Sequence, residues 1–272
     1  MNETLKRALS GAVYIILLLG CISNSKETLA ILFGCFMLIG VYEFCKMTAL
    51  NLYVSIAIAA AAYLLLWNKE DDFIIKSSLI ALSIVTAITL LFYLFNANKT
   101  NFHVITRYVL LVGYTIVPFI IINYVAIGKN GYNPKILISI LILIWTNDTF
   151  AYLVGKNFGK HKLFPSVSPK KTIEGFAGGM VFTVLFSLLL SLFFIGSKIL
   201  YIWIIIAVIV SIFSTLGDLI QSKFKRVAGI KDSGKIMPGH GGILDRLDSI
   251  IFVIPFINLY FLISYLIKYY VS

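Results

Sequence analysis

The chain has 272 residues, 60% of them hydrophobic and 13% charged, and a mean hydropathy of +0.95. A soluble domain carries roughly 25% charged residues, so a water-soluble fold is excluded. The formal net charge of +11 would point to nucleic acid in a soluble protein. No nucleic-acid partner is expected here, because the basic residues are sorted by side along the chain.

A membrane-crossing helix needs about 20 mostly apolar residues. Nine segments fit, over 8–23, 28–47, 52–67, 77–96, 107–127, 134–156, 175–196, 199–220 and 249–270. They predict an all-α polytopic membrane protein of about nine transmembrane helices in one domain, 1–272. The first, with its basic start and a Leu-Leu-Gly-Cys string ending at Cys21, has the outline of a secretory leader. Eight further spans argue for a retained helix instead. Cys21, Cys35 and Cys45 fall inside predicted spans without Cys-x-x-Cys spacing and read as small packing residues. Glu43, near the end of the second span, reads as an interfacial residue.

Nine spans put the termini on opposite sides. Of the 23 lysines and arginines, 16 fall in segments on the same side as the N-terminus. The positive-inside rule assigns that side to the cytoplasm. The expectation is therefore a cell (plasma or inner) membrane protein with its N-terminus and basic loops cytoplasmic and its C-terminus opposite. Such a face also attracts anionic membrane lipids.

The region 134–272 holds what topology does not explain. Asp148 lies in "LIWTNDTFAYLVG", eight residues before Lys156, which is roughly 12 Å into the sixth span. The loop "GKNFGKHKLFPSVSPKKTIEG" follows, then Asp218 in "FSTLGDLIQSK", the basic run "SKFKR", and "KDSGKIMPGHGGILDRLD" over 231–248. An acid at mid-membrane costs about 2.5–3.5 kcal/mol and is a functional candidate by default. Taken singly, Asp148 could pair with a nearby lysine, and Asp248 could favour a helix N-terminus. Four aspartates (148, 218, 245 and 248) converging on one face are harder to dismiss. Asp245 and Asp248 also share a helix face.

Carboxylates beside lysines point to a metal held by oxygens while lysines hold phosphates. Magnesium prefers one or two carboxylates, waters and phosphate oxygens. The glycines of "PGHGG", Gly241 and Gly242 among them, let the backbone approach a ligand, and their amides could face a phosphate before the helix start.

The run from Ser222 to Asp248 resembles the signature of the phosphatidate cytidylyltransferase family. Ser222, Lys225, Arg226, Lys231, Asp232, Gly234, Pro238, His240, Gly241, Gly242, Asp245, Arg246 and Asp248 stand at the family's spacing, with Met237 as a conservative departure. The upstream "NDTFAYLVGKNFGKHKL" and "SPKKTIEG" resemble its second block. The likeness covers residues 145 to 250. It implies CTP and phosphatidate as substrates, CDP-diacylglycerol and pyrophosphate as products, a magnesium requirement with a second cation such as potassium, and a homodimer with a polar cavity. Asp218 and Asp245 match the positions that hold the metal ions. Ser168, Lys170 and Lys171 are candidates for the triphosphate. Lys225, Arg226, Lys231 and Arg246 divide between the phosphates of nucleotide and lipid, with Asp148 and Asp248 completing the site. His240 reads as a ligand or hydrogen-bond donor rather than a base, and His103 and His161 as interfacial residues.

Two rivals share parts of this chemistry. An enzyme using CTP with another lipid acceptor would need the same site. A transporter of anionic metabolites would show internal repeats and a midplane site, and the sequence has neither.

Overall fold

The structure is a computed structural model that describes residues 3–96, 102–128, 131–196, 199–237, 239 and 241–271. Among them nine helices run in chain order: α1 (Glu3–Asn24), α2 (Lys26–Thr48), α3 (Leu52–Leu66), α4 (Phe73–Phe95), α5 (Val104–Val125), α6 (Pro134–Phe158), α7 (Ile173–Ile195), α8 (Leu200–Val227) and α9 (Leu244–Val271). Seven are long and apolar enough to cross a membrane, while the apolar part of α1 (Ala8–Asn24) and α3 are shorter. At 1.5 Å per residue α3 rises about 22 Å, less than the ~30 Å hydrocarbon core. The chain is a multi-pass membrane protein.

Helix starts follow local chemistry. Ser25 and Thr28 form a capping box on α2, and the side chains of Asn51, Asp72 and Thr172 accept from the first-turn amides of α3, α4 and α7. Each satisfies a backbone donor that the helix leaves orphaned.

α6 and α7 pack most closely, because glycines line the contact. A Cβ on Gly175 would sit 2.6 Å from the Ala151 carbonyl oxygen, and one on Gly178 2.6 Å from Val154. Small residues at i, i+3 and i+4 let membrane helices approach backbone to backbone. In α5 a π-helical turn, Leu111–Ile116, carries Tyr114, whose hydroxyl lies 3.2 Å from Gln221 Oε1 on α8. Tyr114 also packs with Phe44, Phe224 and Phe252 in an aromatic layer joining α2, α5, α8 and α9.

Three features depart from the sequence-based expectation. α8 continues to Val227 rather than 220 and α9 starts at Leu244 rather than 249, so Ser222, Lys225 and Arg226 are helical and Asp245 sits in the first turn of α9. Two short antiparallel hairpins are present, β1 (Ile127–Gly128) with β2 (Gly131–Tyr132) and β3 (Lys162–Phe164) with β4 (Ser168–Thr172). Glu43 is fully buried, not interfacial.

The C-terminal ends of α2, α4, α6 and α8 meet the starts of α7 and α9 at one end of the bundle. Arg107 Nη1 donates to the Thr48 carbonyl at 2.8 Å, and Lys223 donates to the carbonyls of Tyr93 and Asn96. These contacts neutralise the negative ends of α2 and α4 and hold the elements around the site.

Candidate active site

α8 presents Asp218, Ser222 and Lys225 on successive turns. Ser222 Oγ donates to Asp218 Oδ1 at 3.3 Å, and Lys225 Nζ reaches across to Asp245 Oδ1 on α9 at 2.7 Å. This second pair is buried, with side chains 11% and 5% exposed. The other oxygen of Asp245 accepts from the Ser233 amide (2.7 Å) and the Gly242 amide (2.9 Å) and lies 3.0 Å from the Ser233 hydroxyl oxygen. Asp245 thus anchors both arms of the glycine-rich loop. Removing one partner of such a buried pair costs about 3–5 kcal/mol.

The β3–β4 hairpin delivers the second lysine. Lys160 and His161 donate backbone amides to Glu174, whose carboxylate also meets His161 Nδ1 at 2.6 Å. The hydroxyl of Thr172 caps α7 by accepting from the Gly175 amide. Lys171, next to that cap, extends Nζ to Asp218 Oδ2 at 2.5 Å, with side chains 28% and 35% exposed. Lys170 is exposed and Ser168 half-buried on the same strand.

Asp248 is buried one turn beyond Asp245, and its Oδ1 accepts from the Ser249 amide at 2.8 Å. Asp148 lies within electrostatic reach of Lys171, Asp218 and Arg246, and Asp248 within reach of Asp218, Lys225 and Asp148. Asp148, Asp218 and Asp248 therefore form one electrostatic group, which Asp245 joins through Lys225. Beside it lies a cleft of about 260 Å³ between α1, α6 and α9. Asp148, Asp245, Arg246, Asp248 and Ser249 form its polar side, and Tyr14, Ile15, Leu141, Ile144, Trp145 and Ile250 its apolar wall. Arg246 is exposed on the polar side.

The structure brings together Asp148, Asp218, Asp245, Asp248, Lys171, Lys225 and Arg246. Arg226 and Lys231 are exposed at the loop margin, where Arg226 Nη1 donates to the Ile230 carbonyl at 3.3 Å. His240 lies outside the described residues.

Three amides at the end of the glycine loop face carboxylates. Gly242 N–H points to Asp245, while those of Ile243 and Leu244 point to Glu43 at 2.9 and 2.8 Å. Gly241, at φ +88°, occupies a conformation that L side chains rarely adopt. A Cβ there would meet Asp245 Oδ2 at 2.6 Å.

Sequence reasoning missed Glu43, Ser233, Tyr14 and Trp145. Ser233 stood inside the quoted signature, so its place between charged residues was a usable signal. Glu43, an acid inside a predicted span, carried the same signal as the aspartates but was read as interfacial, and the aromatic pair carried none.

The donor set suits a hard cation. Carboxylate oxygens are what magnesium prefers, and it needs only one or two of them when phosphates supply the rest. Among the described residues no three His, Cys, Asp or Glu side chains gather into an all-protein cage, which is compatible with that mode. Asp218 and Asp245 each already hold a cation, a lysine ammonium.

A helical membrane bundle that gathers four carboxylates, two lysines and an arginine beside a partly apolar cleft defines a multi-pass membrane enzyme for anionic, amphipathic substrates. The chain belongs to the cytidylyltransferase family, whose model matches residues 5–264. It is similar to the phosphatidate cytidylyltransferase of Staphylococcus haemolyticus, 35% identical over 258 residues, 93% of this chain and 97% of that one. More local matches are to the phosphatidate cytidylyltransferases of Staphylococcus saprophyticus, 49% over 118 residues (43% of this chain, 45% of that one), and Staphylococcus aureus, 52% over 120 residues (again 43% and 45%).

Proposed function

We propose that this chain transfers the cytidylyl group of CTP to phosphatidate, giving CDP-diacylglycerol and pyrophosphate. The observation that carries the proposal is the pair of lysine–aspartate contacts, Lys171–Asp218 and Lys225–Asp245, flanking a cleft with one polar and one apolar side. Family membership and the near full-length relative support the same reading.

An oxygen of the lipid phosphate monoester attacks the α-phosphorus of CTP, and the bond to the β-phosphate oxygen breaks as pyrophosphate leaves. A phosphate monoester has its second pKa near about 6, so the nucleophile is already largely deprotonated at neutral pH and a protein base has little to add. The barrier is the approach of two polyanions. Lys171 and the exposed Lys170 lie on the hairpin and take the triphosphate, with Ser168 beside them. Arg246, on the polar side of the cleft, takes the lipid phosphate while the apolar wall faces its glycerol and acyl portion. Lys225 holds Asp245 inside the site, while Arg226 and Lys231 add positive potential at the margin. Asp218 and Asp245 are the residues that would hold magnesium, with Asp148 and Asp248 adding negative potential, and a monovalent ion such as potassium belongs to the same proposal. Magnesium, when bound, neutralises charge on the phosphoryl oxygens.

The same proposal places this end of the bundle and the N-terminus in the cytoplasm, supported by the lysine and arginine bias, and includes the homodimer that the family resemblance implies. The test uses purified protein with labelled CTP, phosphatidate and magnesium. A lipid-extractable nucleotide together with pyrophosphate is expected. Product with another lipid phosphate but none with phosphatidate would overturn the choice of acceptor.

A further inference from the structure

We infer that Glu43, in the second helix, is a positioning residue of the active site. It fixes the start of α9 and, through Ser233, the orientation of Asp245. The inference rests on the proposed reaction only for what Asp245 does once placed.

Glu43 is 0% exposed and stands about 200 positions from the residues it contacts. One carboxylate oxygen accepts from the Ile243 amide at 2.9 Å, and the other from the Leu244 amide at 2.8 Å and the Ser233 hydroxyl at 2.8 Å. The two amides open α9, where a helix leaves its N–H groups unpaired and favours negative charge. A local Ser, Thr, Asn or Asp could satisfy them. Here the acceptor arrives instead from a different helix, so the loop is tied to α2.

The surroundings are shaped for that carboxylate. A Cβ on Gly234 would stand 2.3 Å from Glu43 Oε1, and one on Gly242 2.4 Å from it. Gly40, one turn before Glu43 on the same face, brings α2 against α9, since a Cβ there would meet Leu244 Cδ2 at 3.0 Å. Two glycines of the signature and one glycine of α2 thus make room for a single acid.

The bridge to the chemistry is Ser233. Its hydroxyl lies 2.8 Å from Glu43 Oε2 and 3.0 Å from Asp245 Oδ2, while its amide donates to Asp245 at 2.7 Å. With Lys225 on the other oxygen of Asp245, the chain Glu43–Ser233–Asp245–Lys225 sets which lone pairs Asp245 can offer. Groups that orient a ligand in this way are typically worth about 10–100-fold in metal affinity or activity.

Glu43→Gln tests both functions, because a carboxamide must turn a donor toward either the Ile243 amide or the Leu244 amide. Ser233→Ala removes the bridge but leaves both capping bonds. The full-length protein in nanodiscs is examined by Mn²⁺ titration, by hydrogen exchange over residues 233–248 and by turnover. Glu43→Gln should lose protection at 243–244. Both variants should lose about 10–100-fold in Mn²⁺ affinity and turnover, Ser233→Ala with protection at 243–244 intact. Wild-type Mn²⁺ affinity and wild-type turnover per folded molecule in Ser233→Ala would overturn the inference, even if Glu43→Gln fails to fold. Absence of lipid-linked nucleotide from the wild-type protein would instead strike the proposed reaction, with the Mn²⁺ and exchange comparison still deciding the role of Glu43.

Discussion

Lys171 Nζ lies 2.5 Å from Asp218 Oδ2, joining a surface hairpin to an aspartate inside a membrane helix. Both side chains remain about a third exposed, so the contact opens more easily than the deeper Lys225–Asp245 pair. The two aspartates are therefore expected to respond differently to the same substitution.

Asp218→Asn should insert, purify and melt like the wild-type protein while losing about 10²–10³ in turnover, the scale of a transition-state electrostatic contact. Asp245→Asn should lose turnover similarly but also melt earlier, because an amide group then faces the buried Lys225. Adding Lys225→Met should restore the melting temperature and leave turnover low. Thermal scans alongside product formation check both. Near-normal turnover in the two single variants would remove the aspartates from the mechanism.

Alternation along β4 places Lys170 and Lys171 on opposite faces. Lys171→Ala should raise the KM for CTP and lower turnover. Lys170→Ala should show a smaller effect that fades as salt rises, as expected for an exposed charge. Steady-state kinetics with CTP and phosphatidate varied separately read the difference. Equal effects on both substrates would argue against assigning the hairpin to the nucleotide.

Gly11 borders the cleft beside Tyr14 and Ile15. Gly11→Leu fills part of that space and should raise the KM for long-chain phosphatidate several-fold, with the KM for CTP unchanged. A short-chain phosphatidate should be less affected. A rise for CTP alone would exchange the substrate assignments of cleft and hairpin.

Orientation is testable by labelling. Cysteine probes at the N-terminus and in the 156–172 segment should be shielded in intact cells, and a probe at the C-terminus should react from outside. A hairpin reachable from outside would reverse the sidedness proposed for the site.

The helices were legible because long apolar stretches separated by charges leave few alternatives in a bilayer. Asp148, Asp218, Asp245 and Asp248 were legible for a related reason, since acids in such stretches need partners. The same logic misplaced Glu43. A lone acid three residues before Lys46 looks identical whether it faces water or a helix start folded against it. Its partner Ser233 lies 190 positions away, and no local pattern encodes that pairing. The β3–β4 hairpin was hidden because three-residue and five-residue strands are too short to show alternation. The inward turn of the loop amides was hidden because glycine permits many backbone paths and names none.

The bond between Glu43 and Leu244 also has a meaning in time. Chains are made and inserted from the N-terminus, so α2 reaches the bilayer long before residues 233–244 exist. Until they arrive, its carboxylate lacks the three donors that later surround it. Those donors are supplied only once the loop and the ninth helix have been made. Completion of the proposed site is consequently a late event in synthesis, and a ribosome-bound fragment ending before residue 233 is expected to be inert whatever number of spans it has already inserted.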